Sequence, residues 1–147
     1  MSHSRPIHPD FRHFLEFKDQ PLIDIYTDLR NYILELHPDS NELLYHTHAL
    51  TSLYSISEKM GDAFCMIPIY TAHLNLGFNK GALLDDPYQF LHGTGKLIRH
   101  IPIKSKTDYR NRKVKALIKS AIKLALEDMS KPTKNTGQTI SKIKMVK

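Results

Sequence analysis

The stretch from His73 to Ile103 constrains the fold most, because residues that favour tight turns are concentrated there, between two strand-like runs. From His73 to Phe78, apolar and polar residues alternate with the period of a half-buried strand, and Lys96 to Ile103 predicts a second strand. Between and beside these runs lie the residues expected to set the loop: Gly77, Gly81, Asp85, Asp86, Pro87, Gly93 and Gly95.

Two local structures follow from the acidic pair in this loop. Asp86 is placed to cap a short helix over Tyr88 to Leu91, with Pro87 at its first position. Asp85 is predicted to pair with Arg99, because an arginine on the apolar face of a strand needs a partner.

The same stretch resembles the central motif of the YdhG-like family, a family of small domains of unknown function. That motif has a glycine-flanked turn after a strand, a Leu-Asp-Pro step, a Gly-x-Gly-Lys turn and an Arg-His-Ile strand. Its parts correspond here to Gly77 and Gly81, Leu84 to Pro87, Gly93 to Lys96, and Arg99 to Ile101. The resemblance covers Leu22 to Leu126, and Thr94 and the basic tail depart from the motif. It implies a frataxin-like fold and, because some members are named intracellular iron chaperones on that ground, a protein that binds iron.

Hydrophobic periodicity predicts two long helices, Pro21 to Leu36 and Asp108 to Met129, each with one apolar stripe. A short helix is predicted over Asn41 to Tyr45, and further strands over His46 to Glu58 and Ala63 to Tyr70. Segregated helices and consecutive strands indicate an α+β two-layer sandwich, with an antiparallel sheet of about four or more strands and both long helices on one face. We expect one domain over 1–129 with its core in 20–129, a mobile or loosely docked arm over 1–20, and a disordered basic tail over 130–147.

Composition narrows the class of protein. No apolar run approaches the ~20 residues of a membrane span, and no signal peptide is seen. A single cysteine, Cys65, excludes an internal disulfide and favours a reducing cytoplasm. The sequence contains no nucleophile–base signature, zinc–cysteine set or dinucleotide fingerprint, so a binding protein is favoured over an enzyme.

Two residue sets are candidate metal ligands. Asp24, Asp28 and Glu35 fall on one face of the first long helix, and frataxins use an acidic ridge on their first helix for iron, so the resemblance makes this set a candidate. His46 and His48 would project from one face of a strand and could share a transition metal with a third ligand. The alternatives are a solvated helix face and ordinary hydrogen-bonded histidines on a sheet.

Lys80, Lys96 and Arg99 are the candidate anion-binding residues. The turn from Gly93 to Lys96 is not a phosphate loop, because Phe90 and Leu97 stand where that motif needs glycine and a hydroxyl side chain. Its amides and the three cations could still hold a small anion.

Charge is unevenly distributed along the chain. Residues 1–103 carry a net charge of −4 and residues 104–147 a net charge of +10, with Arg112, Lys115, Lys119 and Lys123 along one flank of the last helix. This pattern allows a nucleic-acid partner, whereas poor aromatic interleaving argues against stacking on single strands. The third option is a protein partner, or a second copy, on the open face of the sheet.

Overall fold

The computed structural model describes residues 5–128 and 137–145. Three helices are present in this part of the chain: α1 (Pro9–Leu15), α2 (Gln20–Leu36) and α3 (Arg112–Asp128). The strands are β1 (Asn41–His46), β2 (Leu50–Ser55), β3 (Ala63–Ile69), β4 (Leu74–Phe78), β5 (Arg99–Ile103) and β6 (Thr139–Ser141). None of the described helices is both long and apolar enough to cross a membrane.

The strands form one sheet in the order β5-β4-β3-β2-β1-β6. Strands β1 to β5 make an antiparallel meander, and β6 pairs in parallel with β1. The predicted α+β class is therefore confirmed. The prediction of a purely antiparallel sheet is wrong, because the C-terminal segment returns beside the first strand.

The three helices contribute to one core on a single face of this sheet. Alternation along each strand sends Leu44, Tyr54, Ile67 and Leu76 into that core. From α2 and α3, the buried residues repeat at helical spacing, as the apolar stripes predicted: Leu22, Tyr26, Leu29, Ile33, Val114, Leu117, Ile118, Ala121, Ile122 and Ala125.

The second face of the sheet packs against no described helix. A row of paired residues crosses it from edge to edge: Ile140, Leu43, Leu53, Met66, Gly77 and His100. Leu43 and Leu53 are buried among their strand neighbours, whereas Met66 is partly exposed.

A buried ion pair joins α2 to the sheet. Arg30 Nε donates to Glu42 Oε2 at 2.7 Å and Arg30 Nη2 to Glu42 Oε1 at 3.0 Å. Tyr54 donates its hydroxyl to Glu42 at 2.9 Å, and Thr139 does so at 3.1 Å. Burial opposes the charge of Arg30, but the hydrogen bonds and charge of Glu42 outweigh it, so the pKa of Arg30 is raised. The pair therefore fixes β1 and β6 relative to α2.

The short helix predicted over Asn41 to Tyr45 is wrong, because these residues form β1. All of the first four residues of β1 are buried: Asn41, Glu42, Leu43 and Leu44. The strand therefore lacks the alternation of apolar and polar residues that identifies a half-buried strand in sequence. The predicted strand from His46 to Glu58 is in fact interrupted: it comprises the last residue of β1, a bend over 47–49, β2, and a further bend over 56–58.

Both termini contribute more to the fold than predicted. In the arm over 1–20, α1 places Phe11 and Leu15 in the main core, so the loosely docked arm is a wrong prediction. In the tail, residues 137–145 are ordered as β6 and its flanks, with Ile143 8% exposed. The prediction of disorder is thus wrong for 137–145, whereas 130–136 and 146–147 lie outside the described residues. The core begins at α1 rather than at residue 20.

The loop before β5 differs from its prediction. Asp86 accepts from the amides of Phe90 at 3.0 Å and Leu91 at 2.9 Å, and the expected helix over Tyr88 to Leu91 is absent. Gln89 has φ of 57°, which a right-handed helix excludes. Pro87 and Tyr88 form a turn.

The predicted pair between Asp85 and Arg99 does not form. Asp85 is exposed, and Arg99 Nη1 donates instead to the carbonyls of Gly95 at 2.6 Å and Ile98 at 2.8 Å. Because the carbonyls of its own loop accept hydrogen bonds from the guanidinium, Arg99 needs no carboxylate partner.

Candidate functional site

A cleft of about 490 Å³ opens at the end of the sheet where β4 finishes and β5 begins. Its walls come from three segments: Met60 and Gly61, Asn79 and Lys80, and residues 95–98. The first segment belongs to the connection between β2 and β3, the second follows β4, and the third leads into β5. Antiparallel pairing brings these segments together, because all three lie at the same end of their strands.

The wall formed by residues 95–98 is held by main-chain contacts. Ala82 N donates to Leu97 O at 2.9 Å, and the two Arg99 hydrogen bonds to Gly95 and Ile98 close the loop upon itself. Gly81 makes this approach possible, since a Cβ there would lie 2.5 Å from Arg99 Cβ. The shape of the cleft therefore depends on Gly81, because a side chain at this position would push the two segments apart.

Apolar side chains are unusually exposed around the cleft. Met60 is 50%, Leu97 42% and Ile98 51% exposed, and each lines the same opening. Contiguous exposed apolar groups rimmed by polar ones mark a binding surface more often than scattered ones do.

Polar groups accompany this apolar wall. Lys96 is exposed, whereas Lys80 forms an ion pair with Asp128 at the end of α3. Asn79 Oδ1 is buried without a hydrogen-bond partner among the described residues, which is unfavourable by about 1–3 kcal/mol. The cleft thus combines positive charge with an apolar wall.

The structure places two of the three predicted anion-binding residues, Lys80 and Lys96, on the wall of this cleft. Arg99 does not line it but supports the wall through Gly95 and Ile98. Among the predicted loop glycines, Gly93 has φ of +127°, which glycine alone adopts easily, and Gly77 lies beneath Met66.

The predicted metal ligands are not brought together. Asp24 accepts from Gln20 at 2.8 Å, and Glu35 is exposed elsewhere on α2. His46 packs on Phe14 with ring centroids 4.2 Å apart, and His48 lies in the turn after β1. Within 5–128 and 137–145, no group of three or more His, Cys, Asp or Glu residues is placed to hold a metal ion.

Asp28 is occupied by cationic and phenolic partners. Arg110 donates to its two carboxylate oxygens at 2.7 and 3.0 Å, and Tyr109 donates its hydroxyl to the same group. The hydrogen bond from Arg110 is the main cause that lowers the pKa of Asp28. This carboxylate therefore anchors the segment before α3 to α2.

Cys65 is a buried structural thiol. It lies wholly in the main core on β3, and burial raises its pKa. A protonated, inaccessible thiol is neither a nucleophile nor a ready metal ligand.

One histidine pair was missed by sequence reasoning. His92 and His100 exchange main-chain hydrogen bonds of 2.8 and 2.9 Å, and their ring centroids lie 6.0 Å apart. The isolated bridge between them forms only because the loop from 93 to 98 folds back, and the strand predicted from Lys96 is wrong for residues 96–98, which belong to this loop. A His-x7-His spacing carries no such signal by itself.

The outer side of α3 is strongly basic. Its exposed cations are Arg112, Lys113, Lys115, Lys119 and Lys123. Lys113 lies over the ring of Tyr88 at 4.2 Å, and Lys123 approaches Glu127 at 4.0 Å. Three of the five cations therefore have no described ion-pair or aromatic partner.

No family model, curated protein or solved structure matches this chain.

Proposed function

We propose that the protein binds a small organic anion with an apolar body in the cleft between residues 60–61, 79–80 and 95–98. The observation that carries this proposal is the convergence of two lysines, Lys80 and Lys96, with the exposed side chains of Met60, Leu97 and Ile98. The lysines attract the charged end, and the apolar wall receives the body of the ligand. The cleft volume, about 490 Å³, suits a ligand of metabolite size.

The geometry favours this function over iron binding. Asp28 already forms an ion pair with Arg110, and among the described residues the other predicted ligands do not lie together. Kinship with YdhG-like and frataxin-like domains remains a proposal, supported by the order of a helix, a meander of strands and a final helix on one sheet face. A reducing cytoplasmic setting is proposed on the same footing, because the only cysteine is a buried free thiol.

A chain-length series tests the proposal directly. Straight-chain carboxylates from butanoate to decanoate are titrated by calorimetry against the full chain at low salt. Each buried methylene contributes about 0.8 kcal/mol, so the affinity should rise about fourfold per carbon until the cleft is filled. Amines of the same lengths serve as the charge control. Equal binding of amines and carboxylates, or no dependence on length, would refute the proposal.

Variants then locate the site. Lys96→Ala should weaken carboxylate binding, and Ile98→Ser should flatten its dependence on chain length. Asp128→Asn should strengthen binding, because it releases Lys80 from its ion pair. Lys119→Ala, an equally exposed lysine on α3, is the matched control and should leave the affinity unchanged.

A second candidate function rests on the basic side of α3. Arg112, Lys115, Lys119 and Lys123 follow one another along about 16 Å of helix, at 1.5 Å per residue, so several can meet one phosphate backbone. The logarithm of duplex affinity should fall with that of salt concentration at a slope of about −0.9 per phosphate contacted. A slope near zero, or one that Lys115→Ala with Lys119→Ala does not reduce, would refute this function.

A further inference from the structure

A second cleft, of about 420 Å³, opens at the opposite end of the sheet from the first. Its walls come from three segments: the start of α2, the turn between β3 and β4, and the end of β5. The first cleft lies where β4 ends and β5 begins, and no residue lines both clefts. A ligand of the second cleft would therefore be recognised by a separate set of side chains.

The deep part of the second cleft is apolar. Leu22 is 8% and Ile103 2% exposed, and the partly exposed Ile25 lies one turn further along α2. Ile103 pairs with Leu74 across β5 and β4, and Leu22 belongs to the buried stripe of α2. These side chains are held by the main core, so they offer a fixed surface to an apolar group.

Two opposite charges line the same cleft without meeting. Asp19 precedes α2, Lys104 follows β5, and both side chains are exposed. Within residues 5–128 and 137–145, neither side chain has a hydrogen bond or an ion pair, and Asp19 does not use its carboxylate to cap α2. Both charges are thus available to a ligand that carries groups of both signs.

The turn that supplies the third polar side chain, His73, is tied to the start of α2. The ring of His73 stacks on Tyr70 with centroids 4.7 Å apart, and Tyr70 N donates to His73 O at 2.8 Å. Lys18 Nζ donates to Tyr70 O at 3.0 Å, and Lys18 directly precedes Asp19 in the chain. Two walls of the cleft are therefore joined without the help of a ligand.

We propose that the second cleft binds a free α-amino acid with an apolar side chain. Asp19 accepts from the ammonium group and Lys104 donates to the carboxylate, while the side chain lies against Leu22, Ile25 and Ile103. A ligand with one charge would leave Asp19 or Lys104 without a partner, whereas an α-amino acid carries both signs on one carbon atom. The first cleft differs in chemistry, because two lysines and no carboxylate are among the residues that line it.

Equilibrium dialysis of the full chain against radiolabelled leucine tests the proposal. We expect one equivalent to bind. Two competitors each lack one charged group: 4-methylpentanoate has no ammonium group and 3-methylbutylamine has no carboxylate. Each should displace leucine at least about tenfold less effectively than unlabelled leucine does, because a hydrogen bond between charged groups is lost. Affinity should also rise about fourfold per carbon from alanine to leucine, as burial of each methylene group requires.

Variants assign the site. Asp19→Asn and Lys104→Gln should each lower the affinity for leucine by about tenfold or more, and α2 should stay intact because asparagine caps a helix as well as aspartate does. Asp24→Asn and Lys106→Gln, an exposed carboxylate and lysine outside the cleft, are matched controls and should bind leucine unchanged, as should Lys96→Ala in the first cleft. Circular dichroism establishes that each variant is folded.

Three results would overturn the proposal. One is that leucine does not bind, and another is that 4-methylpentanoate displaces it as well as leucine itself, because the ammonium group would then not be recognised. The third is that Lys96→Ala weakens leucine binding whereas Asp19→Asn does not, because leucine would then occupy the first cleft.

Discussion

Replacing Glu42 with glutamine should be the most damaging conservative change in this protein. Arg30 is 2% and Glu42 1% exposed, and their two hydrogen bonds are 2.7 and 3.0 Å long. The amide keeps the shape of the side chain but removes its charge. It therefore leaves the guanidinium buried without a counter-ion. In the native protein the hydroxyl of Tyr54 also donates to this carboxylate, at 2.9 Å.

The expected loss follows from the burial of the pair. Removing one member of a buried ion pair lowers the free energy of unfolding by about 3–5 kcal/mol, because the other charge stays desolvated. Domains of this size have a total stability of about 5–15 kcal/mol, so the variant should lose a large share of it. Arg30→Met should lose a similar amount, because it also leaves the carbonyls of Arg5 and Pro6 without their donor.

Urea unfolding at pH 7, followed by far-ultraviolet circular dichroism, measures these changes. The double variant Arg30→Met with Glu42→Gln should lose much less than the sum of the single losses, since it removes both charges together. Glu35→Gln, an exposed carboxylate on α2, is the matched control and should change stability by less than about 0.5 kcal/mol. A loss below about 1 kcal/mol for Glu42→Gln, or strictly additive losses, would refute the reasoning.

Three further perturbations probe other contacts. Asp28→Asn should lower the free energy of unfolding at neutral pH. The stability that Asp28 contributes is fully present above its unfolded pKa of about 3.9 and disappears as pH falls through its lowered folded pKa. The free energies of unfolding of the variant and the unaltered protein should therefore converge in acid. Gly81→Ala should lower the free energy of unfolding by about 1–3 kcal/mol in urea, because its Cβ meets Arg99 at 2.5 Å; Gly95→Ala, with nothing within 4 Å, should not. Cys65 should react with a disulfide reagent only as fast as the protein unfolds, and rapid labelling of the native protein would contradict its burial.

Local patterns identified the elements whose residues meet a single partner surface. The α2 stripe from Leu22 to Ile33 and the alternation from Leu74 to Phe78 both appear as predicted, because one face of each element is buried. The same rule failed for β1, where neighbours on both faces are buried and the alternation vanishes. It also failed for the termini, because their partners are distant in sequence: β6 pairs with β1 at a separation of 97 residues, and Ser141 donates to Asp10 at a separation of 131.

The candidate sites divide in the same way. The sequence indicated Lys80 and Lys96 as cations near constrained turns, but the apolar wall with Met60 is brought to them only by strand pairing. The sequence indicated Asp28 as a metal ligand, whereas in the folded protein its carboxylate forms an ion pair with Arg110. It contained no sign of the His92–His100 pair, which depends on a loop folding back on β5.

The amino-acid sequence by itself determined the class of the fold, the two long helices and the uneven charge, because these depend on spacing along a few turns or one strand. Only the tertiary structure decided which polar groups pair. Arg30 and Glu42 are twelve residues apart on different elements, and their attraction becomes strong only when packing excludes water from both. Partner choice for a charged side chain is thus a property of the folded interior, which no local pattern encodes.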